Sequence, residues 1–272
     1  MSTSATDTEV EKNQDAHSNP DGLVAAPTIN DINRPFQFDD SDITLISSDN
    51  LHFKIHSYHL MAASPVFRDM IAIGKGGTET QTVELADTTF ETGSIVSLFL
   101  DICYGTPLPH YKVSLTRYLA LVKFLNKYDC ELAKGVVKGA IHAYMNNCVD
   151  GSKDLQPGSC FDIAVAMDDI GLMKTSIRRA GTWHFAPYTT SEPDNSVAKK
   201  RYRAAHCIPN RGVLDLTAST FDDWERIPND VKFALLRATY GDKSQFDYKT
   251  AKWDEVADSF EIILNFIREK KA

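Results

Sequence analysis

Long apolar runs are missing from this chain. No stretch of about 18 consecutive apolar residues occurs, so no membrane-spanning helix is expected. Cysteine is sparse: Cys103, Cys130, Cys148, Cys160 and Cys207 are odd in number, widely spaced, and form no Cys-x-x-Cys pair. That excludes a disulfide framework and predicts free thiols in a reducing, intracellular setting, cytoplasm and/or nucleus. An excess of positive charge is lacking too. With 29 Lys and Arg against 37 Asp and Glu the formal net charge is −8, the wrong balance for a protein whose main partner is nucleic acid. The first residues hold neither a basic segment nor an apolar core, so no secretory signal is expected.

Catalytic signatures are equally scarce. No Gly-x-Ser-x-Gly elbow occurs, and Gly74-Lys75-Gly76-Gly77 has the wrong order for a phosphate-binding loop. Asp168-Asp169 and Asp222-Asp223 are adjacent pairs, and neighbours on a helix do not face each other. Asp222-Asp223 instead suits a helix start near Trp224. His52, His56 and His59 lie close in sequence, yet no Cys or carboxylate completes a ligand set at familiar spacing. No catalytic residue, cofactor, metal or small-molecule substrate is therefore expected, and the chain reads as non-enzymatic.

What is present is a chain with 43% hydrophobic residues, ordinary for a globular protein. Residues 1–38 read as a disordered tail, polar and without an aromatic residue before Phe36, with Phe36 and Phe38 able to dock its last part. Ile43 and Leu45 begin a strand with apolar residues on both sides, predicting cover on both faces. Ser48-Asp49-Asn50 is a turn. Leu51, Phe53 and Ile55 alternate with His52 and Lys54, making a hairpin. A helix over 59–63 follows, then Ser64-Pro65 caps a second one whose buried face is Val66, Phe67, Met70 and Ile71.

Residues 81–85 are β-compatible. Thr88-x-x-Glu91 reads as a capping box for a helix bearing Phe90, Ile95, Leu98, Phe99 and Ile102. Later helices are expected from Thr116, over 131–145 with Leu132, Val136, Ile141 and Tyr144 inward, as a pair broken at Gly171, and over 221–240 and 253–270. Residues 150–159 mark a boundary, and 186–196 read as loop. Trp183, Trp224 and Trp253 are expected to be mostly core. Lys199-Lys200-Arg201-Tyr202-Arg203 is the one basic cluster, a candidate localisation signal.

The positions Asp42-Ile43-x-Leu45, Phe53-x-Ile55-His56 and Leu60-x-x-x-Ser64-x-x-Phe67-x-x-Met70 resemble the BTB/POZ domain. So do Val83-x-Leu85-x-Asp87, Phe90, Tyr104-Gly105 and Leu125-x-Lys127-Tyr128. The resemblance covers about residues 39–147, and 148–272 resemble the helical, BACK-like extension that follows this domain in many fungal proteins. It implies an α/β (α+β), mostly helical fold: a small sheet flanked by a helix cluster, then an all-α extension. It implies a scaffold for protein–protein interaction, by self-association or partner recruitment. Alternatives are a substrate adaptor of a cullin-type ubiquitin ligase and a transcription-associated regulatory protein. Expected partners are proteins, with no direct nucleic acid or membrane contact. Asp42, Phe53, His56, Leu60, Ser64, Phe67, Met70, Asp87 and Tyr104 are carried over as structural or interface positions. Ser57 stands where many relatives carry a basic residue. Residues 73–80 and 88–101 are the expected contact surfaces.

Overall fold

The computed structural model describes residues 36–74, 81–108, 113–147, 156–181, 183–185, 195–241, 247 and 249–272. Three strands form one sheet in the order β2–β1–β3. The hairpin of β1 (Ile43–Ile46) and β2 (His52–Ile55) sets Ile43 opposite Ile55 and Leu45 opposite Phe53. Strand β3 (Gln81–Glu84) joins the other edge of β1 in parallel, with Val83 beside Leu45. Because side chains alternate along a strand, these five apolar residues share one face, and all are buried. The opposite face corrects the sequence reading. Thr44 and Ile46 are only half-buried, and their neighbours His52, Lys54, Thr82 and Glu84 are exposed. The sheet is covered on one side.

The turn is held by its own side chains. Asn50 takes a positive φ of 59°, which Asn tolerates. The Ser47 hydroxyl donates to Asp49 at 2.6 Å and accepts from the Leu51 N–H at 3.0 Å. Asp49 in turn accepts from the Gly93 N–H at 2.7 Å. A Cβ at Gly93 would lie 2.4 Å from a Leu51 methyl, so only glycine lets the turn and the next helix approach this closely.

Helices α1 (Ser57–Ala63) and α2 (Pro65–Gly74) carry the chain from β2 to β3. Ser64 does two jobs between them. Its hydroxyl accepts from the Phe67 N–H at 3.0 Å and donates to the Tyr128 carbonyl. Ser64→Ala is expected to cost about 1–2 kcal/mol, one lost cap plus a buried carbonyl left without its donor; urea denaturation measures it. Phe67 stacks on Tyr128 with centroids 4.3 Å apart and touches Phe99 and Phe124, joining α2 to α3 (Gly93–Cys103) and α4 (Leu115–Lys127).

Helix α5 (Glu131–Asn147) buries Ala133, Val137, Ile141, Tyr144 and Met145. Leu132 and Val136, expected inside, are 75% and 45% exposed. Ala133 and Val137 face the core in their place, while Ile141 and Tyr144 are buried as expected. Leu132→Glu and Val136→Glu should therefore change stability by no more than about 0.5 kcal/mol; a fall in melting temperature typical of a core substitution would refute this placement.

Two further helix boundaries differ from expectation. The pair α6 (Pro157–Ala166) and α7 (Ile170–Arg178) breaks at Asp168, where φ is 52°, and Gly171 lies inside the first turn of α7. Asp169 caps that turn through the Leu172 N–H at 2.8 Å. The expected helix over 221–240 is two, α9 (Phe221–Arg226) and α10 (Asn229–Tyr240). Pro228 divides them, since the residue before proline is pushed out of the helical region and Ile227 is extended. The basic cluster lies on α8 (Ser196–Ala205), and the chain closes with α11 (Trp253–Lys271).

Among the described residues the fold is thus eleven helices around and behind a three-stranded sheet, mostly helical as expected. The later helices pack around Phe161 and Phe260, 6.0 Å apart, and share one continuous core with the earlier ones, where α6 packs on α4 and α7 on α5.

Candidate functional site

Two polar arrangements stand out, one internal and one at the surface. The internal one centres on Glu91, whose side chain is 0% exposed. The expected capping box at Thr88 does not form, since α3 starts only at Gly93. Glu91 instead reaches back to Asp87, while the Asp87 carboxylate bonds Thr89. The Glu91 carboxylate accepts from the Asp87 N–H at 2.6 Å, and Asp87 accepts from the Thr89 N–H at 2.8 Å and hydroxyl at 2.6 Å. The second Glu91 oxygen accepts from Tyr128 OH at 2.7 Å and from the Lys127 ammonium. Burial alone would raise the Glu91 pKa, but Lys127, the Asp87 N–H and Tyr128 together hold it below the usual value. Burial and the same carboxylate push the Tyr128 phenol up. This charge is fully partnered and closed to solvent, so it serves the fold.

The surface arrangement is a platform of rings. Backbone pairing at the outer edge of β2 brings two of them in: the Lys54 N–H donates to the Phe36 carbonyl at 3.0 Å, and the Phe38 N–H donates to the Lys54 carbonyl at 3.1 Å. Phe38 stacks on Tyr104, 5.2 Å between centroids and 18° apart, and lies 4.9 Å from His56. His59 lies 3.9 Å from Tyr104 and 4.1 Å from Tyr58, which is 59% exposed.

Hydrogen bonds fix the central imidazole. The Tyr104 hydroxyl accepts the His56 backbone N–H at 3.1 Å and sits 3.0 Å from His56 Nδ1, while Nε2 lies 3.1 Å from Asp40. One tautomer satisfies every contact: Tyr104 O–H donates to Nδ1, and Nε2–H donates to Asp40. Burial lowers the His59 pKa, and nearby His56 adds to this against the Cys103 carbonyl, so His59 favours its neutral form.

Asp42 completes the surface. Its oxygens accept the Ser57 N–H and hydroxyl, each at 2.6 Å, at the first turn of α1. Burial works to raise its pKa, and the Ser57 bonds prevail and lower it. A serine here thus uses the carboxylate that a basic neighbour would otherwise pair.

The nine carried-over positions divide clearly. Phe53, Leu60 and Phe67 are core, Ser64 is buried at the α1–α2 joint, and Met70 is half-buried. Asp87 holds the turn before α3. The platform gathers His56 and Tyr104, with Asp42 next to His56 through Ser57. Phe38, Asp40, Tyr58 and His59 join it without having been singled out as interface residues. Of the two expected contact surfaces, Ile73 is 87% exposed and residues 75–80 lie outside those described; half of 88–101 is buried, including Glu91, Ile95, Val96 and Phe99, while Thr88, Thr89 and Ser94 are exposed.

Among the described residues no group of three or more His, Cys, Asp or Glu is placed to hold a metal ion. His56 and His59 are 6.3 Å apart, and His52 is exposed on β2. The three tryptophans are half-buried: Trp253 donates to the Gly181 carbonyl at 3.1 Å, and the Lys232 ammonium lies 4.9 Å over the Trp224 ring. No described helix is long and apolar enough to cross a membrane. What the platform offers is a cluster of tilted, half-buried rings with Tyr58 exposed and polar atoms at its rim, the composition that anchors protein partners.

Residues 32–132 match the family model of the BTB/POZ domain. The β2–β1–β3 sheet and α1–α4 lie within that match, and the helices from α6 onward follow it. No curated protein matches the chain. The segment carries the general role of a BTB/POZ domain, a protein–protein interaction module.

Proposed function

We propose that this chain is a non-enzymatic recruitment protein that holds a protein partner on the ring platform around Tyr58, His59 and Tyr104. The BTB/POZ-like part spans 39–147 in this reading, and the helices of 148–272 form an extension that braces it. One observation carries the reading: Tyr58, a large aromatic residue, stands 59% exposed against His59 at the edge of an ordered, hydrogen-bonded cluster. Rigid aromatic side chains of this kind supply contact area at low entropic cost, and such residues dominate binding energy at interfaces.

The test is affinity purification of the full chain and of Tyr58→Ala, followed by mass spectrometry and by titration of the partners found. Loss of at least one partner, with about tenfold weaker binding, supports the proposal. An unchanged partner set overturns it. Light scattering on the purified chain separates self-association from recruitment of a different protein, and a cullin among the partners would identify an adaptor of a ubiquitin ligase.

The basic helix α8 favours a second reading, a transcription-associated regulator acting in the nucleus. Lys200 and Arg201 are exposed there. Finding the protein only in cytosolic fractions would end that version.

A further inference from the structure

The rim of the ring platform is acidic. Asp39 and Asp40 on the lead-in and Asp42 just before β1 are all exposed. Asp40 lies 3.1 Å from His56 Nε2, with its side chain 84% exposed, and the His56 ring is 5.7 Å from that of Tyr58. Asp42 accepts from Ser57, the residue before Tyr58. The fixed cation on this edge is Lys54, whose backbone holds the lead-in. Arg68 reaches the Met61 carbonyl at the far end of α1, and Asp69 next to it offsets its charge. Three carboxylates thus face one fixed cation, and the balance stays negative even with His56 protonated.

Tyr58 also differs from other exposed rings of the chain. Arg237 lies 5.9 Å over Phe233, and Lys270 lies 4.9 Å over Phe266, so each of those rings has a cation from its own helix. Among the described residues no cation lies over Tyr58. His59 rests against one side of the ring, and the rest is open. An open aromatic face beside unneutralised carboxylates is complementary to a cation that can stack. Arginine does this better than lysine: its guanidinium is planar and weakly hydrated, and its fork fits a carboxylate.

We propose that the partner presents an arginine whose guanidinium stacks on Tyr58 and pairs with Asp40, which presupposes the platform as the docking surface. Asp39 and Asp42 add to the field that draws it in.

The test is selection of a phage-displayed library of random short peptides on the full chain, with counter-selection on Tyr58→Ala. Peptides that need Tyr58 are then measured by fluorescence anisotropy. They are expected to carry arginine, and lysine in its place should weaken them about threefold. Asp40→Asn keeps an acceptor for His56 Nε2–H and removes the charge. It should weaken binding about fivefold at low salt and flatten the salt dependence. Asp40 is exposed, and thermal melting checks that its variant stays folded. Peptides that need Tyr58 but carry no arginine, that bind equally with lysine, or that are indifferent to Asp40→Asn would overturn the arginine and leave the platform standing. A dimer of the purified chain that Tyr58→Ala dissolves and Asp40→Asn leaves intact would assign the platform to a second copy and likewise overturn it. Finding no peptide that needs Tyr58 would overturn both proposals.

Discussion

Glu91→Ala is expected to destabilise the protein by about 2–3 kcal/mol, the usual cost of leaving buried hydrogen-bond donors without their acceptor. The alanine leaves the Tyr128 hydroxyl and the Asp87 N–H without their acceptor, while the half-exposed Lys127 ammonium turns to water. Glu91→Gln keeps an acceptor for both neutral donors and loses only the charge, so it should fall between wild type and alanine. The pH dependence has a definite sign. The folded carboxylate has a lower pKa than the unfolded one, whose ordinary value is 4.5. The unfolded chain therefore binds the proton more readily, and this stabilisation is present above about pH 4.5 and lost as pH falls through the folded value. Urea titrations of the three proteins at pH 7 and pH 4 measure both effects. A loss below about 1 kcal/mol at pH 7 would mean that water replaces the network.

Asp162→Asn should act in the opposite direction and stabilise the protein near neutral pH. Burial, partly offset by Arg226 and reinforced by Asp223, pushes the folded carboxyl from 3.8 up to about 6. The folded state then holds a proton that the unfolded state releases. Stability from this group is greatest below pH 3.8, falls as pH rises to about 6, and stays low above it. A shift of about two units corresponds to at most about 3 kcal/mol. Asparagine keeps the volume without the charge and should recover about 1–3 kcal/mol at pH 7.5 and almost nothing at pH 4. Denaturation midpoints at the two pH values are the measurement. A variant less stable than wild type at pH 7.5 would show that Arg226 depends on Asp162 more than burial penalises it.

Local chemistry made much of the first half legible. The alternation through Phe53 and Ile55, the Asp49-Asn50 turn and the Ser64-Pro65 cap each depend on residues a few positions apart, and each forms as read. Misreadings occurred where distant residues decide. Thr88-x-x-Glu91 has the spacing of a capping box, but Lys127 and Tyr128 draw the Glu91 carboxylate inward. Leu132 and Val136 fit a helical stripe as well as Ala133 and Val137 do, and only the packing of α5 separates the two sets. The ring platform combines residues from the lead-in, α1 and the end of α3, so no single motif displays it. Proline 228 is different: its effect on Ile227 is local, and it could have been read from sequence.

The parallel register of the third strand has a bearing on how the protein assembles. β2 returns directly to β1 through a turn, so their pairing closes a short loop, whereas Gln81 meets Ile43 only after the chain has passed through α1 and α2. Loop-closure entropy rises with the length of chain enclosed. The hairpin can form from its own residues, while β3 has an edge to join only once the two helices have turned the chain back. The sheet is therefore built from its antiparallel side outward. Its last strand is expected to detach first in partial opening, and amide exchange in β3 outpacing that in β2 is the observable that checks it.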